Sequence, residues 1–272
     1  IYKKKRKIKM KNKSLAKFVI VLAIIMGILT VALLYIQIQQ NNNNNSYISL
    51  NVDTMNLVQL EDVKEGAPIA IVDTTLGEFR FVLYPEHSPN AVKNFTELAE
   101  SGYYDGTYVF NSDSGAYSAA GSKLKNGEMP EGYDKNRELV ERELHQDLWP
   151  LKGAICVMNT TVDRTFKEKI FGGGTYYNGS RFAIINTIEF TDELKKELME
   201  ASDNEALGKA FTEKGGIPNF SQQLTVIGQT YEGFDVVEAL ASLETDDSGI
   251  YKIPKEDIMI NSVKIDVYKS EK

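Results

Sequence analysis

The feature that most constrains this chain is an uncharged run of nineteen residues, Phe18–Ile36, with the sequence FVIVLAIIMGILTVALLYI. As a helix rising about 1.5 Å per residue, this run spans roughly the 30 Å hydrocarbon core of a membrane. A buried core helix is a poor alternative because no face of the run is polar. A cleaved signal peptide is also disfavoured, because the following YIQIQQNNNNN has no small-residue cleavage pattern. The run therefore predicts one uncleaved transmembrane anchor over residues 18–38.

Charge is distributed unevenly on the two sides of this anchor. Nine Lys and Arg and no acid lie within residues 1–17, whereas the whole chain carries −7, so the remainder carries −16. The positive-inside rule makes residues 1–17 a basic cytoplasmic segment and places the later domain outside the cytoplasm. We therefore expect a single-pass protein of the cell membrane with an extracytoplasmic C-terminal domain. An acidic domain repels phosphate backbones, so we expect no nucleic acid among the partners.

The rest of the chain predicts a polar linker followed by one folded domain. The asparagine-rich stretch 39–55 has the composition of a linker, and regular strand and helix patterns occupy 56–272. A helix is expected after Pro85, with Ser88 as its N-cap and Gly102 beyond its end. Many short strands with few helices indicate a mainly β barrel or sandwich with helical plugs, not a doubly wound α/β sheet.

The residue types that usually carry chemistry are few. His87 and His145 have no partner at metal-binding spacing, so a surface role is expected for each. The single cysteine, Cys156, excludes an internal disulfide, and its apolar surroundings GAICVM predict a small buried side chain. No phosphate-binding loop, nucleophile elbow or Cys-x-x-Cys pair is present. We therefore expect no cofactor and no metal.

Several stretches resemble, in the right order, the cyclophilin-type peptidyl-prolyl isomerases. TTLGEFRFVLYPEHSPNAVKNFTELAESGYYDGT, at Thr74–Thr107, resembles the opening of that family. The similarity resumes at Leu151–Asn159, Asn178–Ile184 and Gly215–Leu240. It implies a cyclophilin-like eight-stranded antiparallel barrel with capping helices. The stretches Thr160–Tyr177 and Thr191–Lys214 would then be two enlarged loops, the second with a helical pattern of apolar residues.

The resemblance also implies a reaction and the groove that performs it. Rotation about an X–Pro bond crosses a barrier of ~18–20 kcal/mol. Catalysis needs an apolar pocket for the proline ring, backbone clamps and a donor near the prolyl nitrogen. In the family an arginine is this donor, and its position falls on Asn111. Arg181, at a family glutamine position, is a candidate substitute, and pairing with a surface acid is the alternative role for its side chain.

Eleven residues fall on groove positions of the family. They are Asn111, Ala116, Tyr117, Ala119, Met158, Asn159, Arg181, Ala183, Asn219, Phe220 and Leu224. Ala116 and Ala183 stand where the family has aromatic walls, and Ala119 stands where it has a glutamine. The loss of one preorganised donor costs ~2.7–4 kcal/mol of transition-state stabilisation, a factor of about 10²–10³ in rate. The active site is therefore expected to be degenerate, with weak or absent isomerase activity.

Three hypotheses for function remain open from the sequence. The first is a membrane-anchored isomerase or folding factor that acts on proline-containing polypeptides or unfolded secreted proteins. The second is a non-catalytic peptide-binding or chaperone-like module on the same barrel. The third is a structural protein of the cell envelope that captures partners through its enlarged loops. The basic segment and the asparagine run suggest a bacterial, Gram-positive source.

Overall fold

The computed structural model describes residues 26–37, 47–128, 138, 140–160, 165–166, 170, 175–201, 204–246 and 249–270. The chain divides into two compact units, one of residues 1–46 and 163–174 and one of residues 47–162 and 175–272. In the first unit, residues 26–37 form a helix, α1. Within the described ranges, no helix has the length and apolar character needed to cross a membrane. Residues 1–25 and 38–46, on which much of the predicted anchor falls, lie outside those ranges.

The second unit is a closed β-barrel. Its described strands are β1 (Pro68–Thr74), β2 (Gly77–Leu83), β3 (Thr107–Asp113), β4 (Tyr117–Ser122), β5 (Val140–Glu141), β6 (Ala154–Thr160), β7 (Tyr177–Ile185), β8 (Thr225–Glu232), β9 (Thr245–Asp246), β10 (Ile253–Pro254) and β11 (Met259–Val267). Eight of them follow the antiparallel order β4-β3-β11-β1-β2-β8-β6-β7, and β4 pairs with β7 to complete the ring. The predicted mainly β, eight-stranded barrel is therefore confirmed.

Two helices close the barrel core. Helix α2 (Pro89–Glu100) and helix α5 (Phe234–Ala241) contribute apolar faces to the same buried cluster as the inward-facing strand residues. Phe95 of α2 packs on Phe81 and Phe182 with ring centroids 5.7 and 5.8 Å apart. Leu240 of α5 is fully buried in this cluster. The predicted capping helices are confirmed.

The N-terminus of α2 is capped differently from the sequence prediction. Ser88 occupies the N-cap position, but its hydroxyl donates to the Val226 carbonyl at 2.8 Å instead of serving the helix. The Glu143 carboxylate accepts from the backbone N–H groups of Asn90 and Ala91 at 3.2 and 2.8 Å. Helix N-termini favour negative charge, so a residue distant in sequence replaces the local cap.

The second enlarged loop is mostly helical and has its own small core. It contains α3 (Asp192–Ala201) and α4 (Glu205–Lys214). Phe211 of α4 is buried against Trp149 and Leu151 in a cluster separate from the barrel interior. The other enlarged loop, Thr160–Tyr177, falls mainly on residues outside the described ranges.

The segment that precedes β1 is bonded to the barrel unit from Tyr47 onward. The Ile48 backbone N–H donates to Gln222 Oε1 at 2.9 Å. The buried Gln59 side chain donates to the Trp149 carbonyl at 2.9 Å and accepts from the Trp149 N–H at 2.6 Å. The described end of the predicted 39–55 linker thus belongs to the folded unit.

Candidate peptide-binding site

The predicted groove residues lie on the outer face of the barrel. Side chains alternate along a strand, so neighbouring residues point to opposite faces. On β6, Ile155 belongs to the barrel interior, whereas Cys156 belongs to a second apolar cluster on the outside. On β7, Phe182 and Ala183 divide in the same way. The sequence therefore builds two apolar layers that share the wall of the barrel.

Strand register places the central groove residues in one row. Asn111 on β3 faces Ala119 on β4, Ala119 faces Ala183 on β7, and Ala183 faces Cys156 on β6. Ala119 and Ala183 are 0% and 1% exposed. The row therefore forms a covered floor of small side chains, where the family resemblance places a glutamine and an aromatic wall.

The β3–β4 hairpin carries two further predicted residues to the edge of this floor. Ser114 and Gly115 adopt left-handed backbone angles, with φ of 48° and 83°, and reverse the chain between Asp113 and Tyr117. The Asn186 side chain donates to the Gly115 carbonyl at 2.6 Å. The hairpin is thus a fixed part of the site, although its sequence NSDSGAYSAAGS has the composition of a flexible linker.

An aromatic pair lies beside the floor. The rings of Tyr117 and Phe220 meet edge to face, with centroids 5.3 Å apart and planes at 76°. Six predicted residues belong to this outer cluster: Ala116, Tyr117, Met158, Ala183, Phe220 and Leu224. Burial, and then the Asp113 carboxylate, raise the pKa of the Tyr117 phenol. Tyr117 is therefore a neutral hydrogen-bond donor at physiological pH.

Asn111 occupies the position at which the family has its arginine, and its side chain is enclosed. It is 2% exposed, and its Oδ1 accepts from the Lys252 backbone N–H at 2.9 Å. Its Nδ2 makes no hydrogen bond of normal geometry to any described residue. The Lys252 ammonium contacts Asp113 and lies 3.1 Å from Ser114 Oγ. The segment around Lys252 therefore covers the edge of β3 at this position.

Arg181 contacts neutral groups. Its Nη1 donates to the Gly127 carbonyl and lies 3.3 Å from the Tyr251 hydroxyl. Its guanidinium stands over the Phe110 ring, 5.7 Å from the centroid. No ion pair to Arg181 is found within the described ranges, so the predicted pairing with a surface acid is not seen there. The ring that Arg181 contacts thus belongs to the residue that precedes Asn111 in β3.

The two remaining predicted residues lie at the margin near Gln223. Asn159 Nδ2 donates to the Gln223 carbonyl at 3.1 Å, and the Asn219 carbonyl accepts from Gln223 Nε2 at 2.6 Å. Asn219 is exposed. The structure thus brings all eleven predicted residues to one side of the barrel, in a covered centre and a partly exposed rim.

Sequence reasoning missed two residues late in the chain, Tyr251 and Lys252, that enclose the site. The Tyr251 ring meets the Phe110 ring at 4.9 Å, and Lys252 bonds to Asn111 as described above. Their positions follow from a connection between β9 and β11 that no local pattern specifies.

The two histidines, for which a surface role was expected, are partly buried and meet each other. Their ring centroids are 4.6 Å apart, and Asp147 Oδ2 lies 3.9 Å from His87 Nε2 and 3.6 Å from His145 Nδ1. Burial, and then His145, lower the pKa of His87, while Asp147 acts in the opposite direction. The two histidines come from segments far apart in sequence, so no spacing pattern could have paired them.

A closed antiparallel barrel, two helices over its core and an apolar cluster on its outer face are the features of a β-barrel peptidyl-prolyl isomerase fold. Residues 69–265 match the family profile "Cyclophilin type peptidyl-prolyl cis-trans isomerase/CLD", and the chain belongs to this family.

Two relatives and two solved structures illustrate the similarity. A Staphylococcus saprophyticus protein assigned as a peptidyl-prolyl cis-trans isomerase is 30% identical over 211 residues, covering 77% of this chain and 98% of that protein. A Streptococcus pyogenes protein assigned as a bifunctional phosphatase/peptidyl-prolyl cis-trans isomerase is 30% identical over 76% of this chain, which spans only 40% of that relative. A Cryptosporidium parvum cyclophilin-type isomerase has a TM-score of 0.52 at 19% identity, covering 75% of this chain and 99% of that one. Its structure in the presence of the dipeptide Ala-Pro has a TM-score of 0.52 at 20% identity. At these identities the two structures show the fold alone.

Proposed function

We propose that this chain is a folding factor that binds proline-containing segments of unfolded polypeptides in the outer groove and isomerises them weakly or not at all. The observation that carries the proposal is that the Asn111 side chain is enclosed. Its amide stands at the family's arginine position, is 2% exposed and is bonded to Lys252. It cannot reach a bound prolyl nitrogen as an extended guanidinium would.

The floor of the groove supports low catalytic power as well. Ala119 and Ala183 are covered, so the centre has no aromatic wall to hold a proline ring. Losing the donor alone removes ~2.7–4 kcal/mol of transition-state stabilisation. Isomerisation is therefore expected to be about 10²–10³-fold slower than with the donor in place.

The rim retains groups suited to peptide binding. Tyr117, Met158, Phe220 and Leu224 are partly exposed apolar side chains in one cluster. The Tyr117 hydroxyl adds a hydrogen-bonding group to this surface, as do Asn159 and Asn219 at its margin. The family assignment and the Cryptosporidium structure obtained with Ala-Pro support a proline-containing ligand.

The sequence before the barrel supports a location for this activity. The basic residues 1–17 and the apolar stretch 18–38 have the pattern of a single-pass anchor with the barrel outside the cytoplasm. An unfolded secreted chain that emerges at the membrane would present X–Pro bonds to such a domain. The clients would then be secreted proteins, in a Gram-positive bacterium like its staphylococcal and streptococcal relatives.

A second candidate is an isomerase in which Arg181 supplies the missing donor. The observation that favours it is the position of the guanidinium over the ring of Phe110, the residue that precedes Asn111 in β3. Arg181 would have to release its bonds to Gly127 and Tyr251 when substrate binds.

Peptide binding is the first arm of the experiment. A fluorescently labelled proline-containing peptide is titrated with the full chain and with a Phe220→Ala variant. Removing a partly buried aromatic ring costs about 2 kcal/mol of apolar contact, so the dissociation constant should rise roughly 30-fold. Leu76→Ala, which removes an exposed apolar side chain at the β1–β2 turn, is the matched control and should leave the affinity unchanged.

Isomerisation of the same peptide is the second arm, measured by exchange NMR. The proposed function predicts binding with little or no acceleration, and Arg181→Ala should change neither. Acceleration that disappears in Arg181→Ala would establish the second candidate. Efficient catalysis that persists in this variant, or no peptide binding by the parent chain, would contradict both.

A further inference from the structure

Three side chains that the groove does not use meet elsewhere on the barrel unit. His87 lies in the turn between β2 and α2, whereas His145 and Asp147 lie between β5 and β6. One ligand atom from each of the three lies within 4.8 Å of the others. Two imidazoles and one carboxylate are a donor set typical of sites that bind zinc and keep one position for water.

We propose that His87, His145 and Asp147 form a Zn²⁺-binding site. Zinc bonds of about 2.0–2.2 Å in tetrahedral geometry place neighbouring donor atoms about 3.3 Å apart. Asp147 Oδ2 lies 3.9 Å from His87 Nε2 and 3.6 Å from His145 Nδ1. Small rotations of these side chains would therefore bring the three donors to coordination distance, with water as a fourth ligand.

Outer contacts hold the donors in place. Asp147 Oδ1 accepts from the Asn56 backbone N–H at 2.7 Å, which leaves Oδ2 facing the two histidines. The Asp147 N–H donates to His145 Nδ1 at 3.2 Å, which orients the His145 ring beside the Asp147 carboxylate, and zinc would take the place of this bond at Nδ1. Such outer contacts normally fix the orientation of metal ligands.

The His87 ring makes no hydrogen bond to the residues that the structure describes. The side chain is 17% exposed, and its Nδ1 is enclosed without a hydrogen bond within the described part of the chain. Its Nε2 reaches only as far as Asp147, at a distance too long for a hydrogen bond. A bound cation would give this half-buried imidazole a strong interaction.

The surroundings favour the approach of a cation. His87 and Asp147 line a cleft of about 570 Å³. This cleft also carries four further acidic side chains and one basic one: Glu61, Asp62, Glu65, Glu86 and Lys64. A cleft lined mainly by one sign of charge concentrates ions of the opposite sign.

The test is a calorimetric titration of the full chain with Zn²⁺ alone. We expect one ion per chain, and His87→Ala and Asp147→Asn should each weaken binding at least about 100-fold, since loss of even an outer contact costs roughly 10–100-fold. Glu86→Gln removes a neighbouring charge from the same cleft without touching the ligands and should change the affinity only a few-fold. Circular dichroism checks that each variant remains folded.

Spectroscopy of the parent chain keeps the test decisive if a variant fails to fold. The chain has two histidines in total and one buried cysteine, so nitrogen coordination can be traced to this cluster. Co²⁺ added in place of zinc should give the intense visible absorption of a tetrahedral nitrogen and oxygen site. Absence of saturable Zn²⁺ binding, unchanged affinity in both ligand variants, or a Co²⁺ spectrum like that of the aqueous ion would overturn the proposal.

Discussion

At the scale of single residues, the small side chains of the groove floor depend on one another. Ala119 and Ala183 face each other across the β4–β7 pair. Directly opposite Cβ atoms in such pairs lie only about 4.5–5.5 Å apart, so a large side chain at either position would crowd the other. One substitution cannot rebuild the family's groove here, because the neighbouring side chains of the floor are small as well and leave no room for a single large one.

Cys156 continues this row and reports on how well the floor is covered. It is 0% exposed, and burial raises the pKa of its thiol, which disfavours the reactive thiolate. We therefore predict that the native chain does not react with a thiol-specific reagent over hours, whereas the denatured chain reacts with one equivalent. Absorbance of the released chromophore measures both, and a Cys156→Ala chain provides the blank. Rapid labelling of the native chain would show that the floor opens.

At the scale of elements, the structure depends on side chains that join distant segments. Helix α2 begins at Pro89, but its N-terminal amides are served by Glu143 from the segment after β5. This carboxylate also accepts from the Asn90 side chain at 2.7 Å. One residue therefore fixes the start of the helix and the position of the segment that carries His145.

The Glu143→Gln substitution tests this capping interaction. It keeps the shape of the side chain but removes the charge, so the free energy of unfolding should fall by about 1 kcal/mol. Urea denaturation followed by circular dichroism measures the change. Glu141→Gln removes an exposed carboxylate two residues away and should have almost no effect. Equal stabilities of the two variants would contradict a capping role for Glu143.

Elements with a strong local pattern could be predicted from the sequence, and contacts between them could not. The signals at Ser88 and Gly102 indicated α2, and the family resemblance supplied the order of the strands and helices. The helical spacing of Leu198, Leu207 and Phe211 likewise indicated α3 and α4. The residues expected in the groove could be assigned to strand positions because strand register follows from the fold.

What the sequence failed to predict depends on pairs that are far apart along the chain. The contact of Glu143 with Asn90 and the bond from Lys252 to Asn111 join residues 53 and 141 positions apart. His87 and His145 also come from separate segments. Ser88 was expected to cap α2 because its type suits the position. Its hydroxyl instead satisfies the buried Val226 carbonyl, a requirement set by tertiary packing.

At the scale of the whole molecule, the charge pattern predicts where the chain resides. The full chain should sediment with membranes and resist extraction by high salt and alkaline carbonate, because about twenty apolar residues insert far more firmly than basic charges adsorb. A chain that begins at Tyr47 should remain in the supernatant.

The orientation of the chain in the membrane can be measured by adding protease to cells whose wall has been removed and whose membrane is intact. The protease should degrade the barrel unit if that unit lies outside the cytoplasm, while a cytoplasmic marker protein stays intact. A full chain that salt releases from membranes, or a barrel unit protected from protease, would contradict the proposed anchor or its direction.

The closure of the barrel determines how a bound peptide can be recognised. Each of the eight strands has a neighbour on both sides, and where β3 extends beyond β11 its Ser112 N–H is already bonded to the Lys252 carbonyl at 2.9 Å. A ligand therefore cannot join the sheet as an additional strand beside β3, which is how many peptide-binding domains obtain sequence-independent affinity. Selection among polypeptides must instead come from the side chains of the outer face. Changes in the rim should consequently alter which sequences bind, while the main-chain framework stays the same.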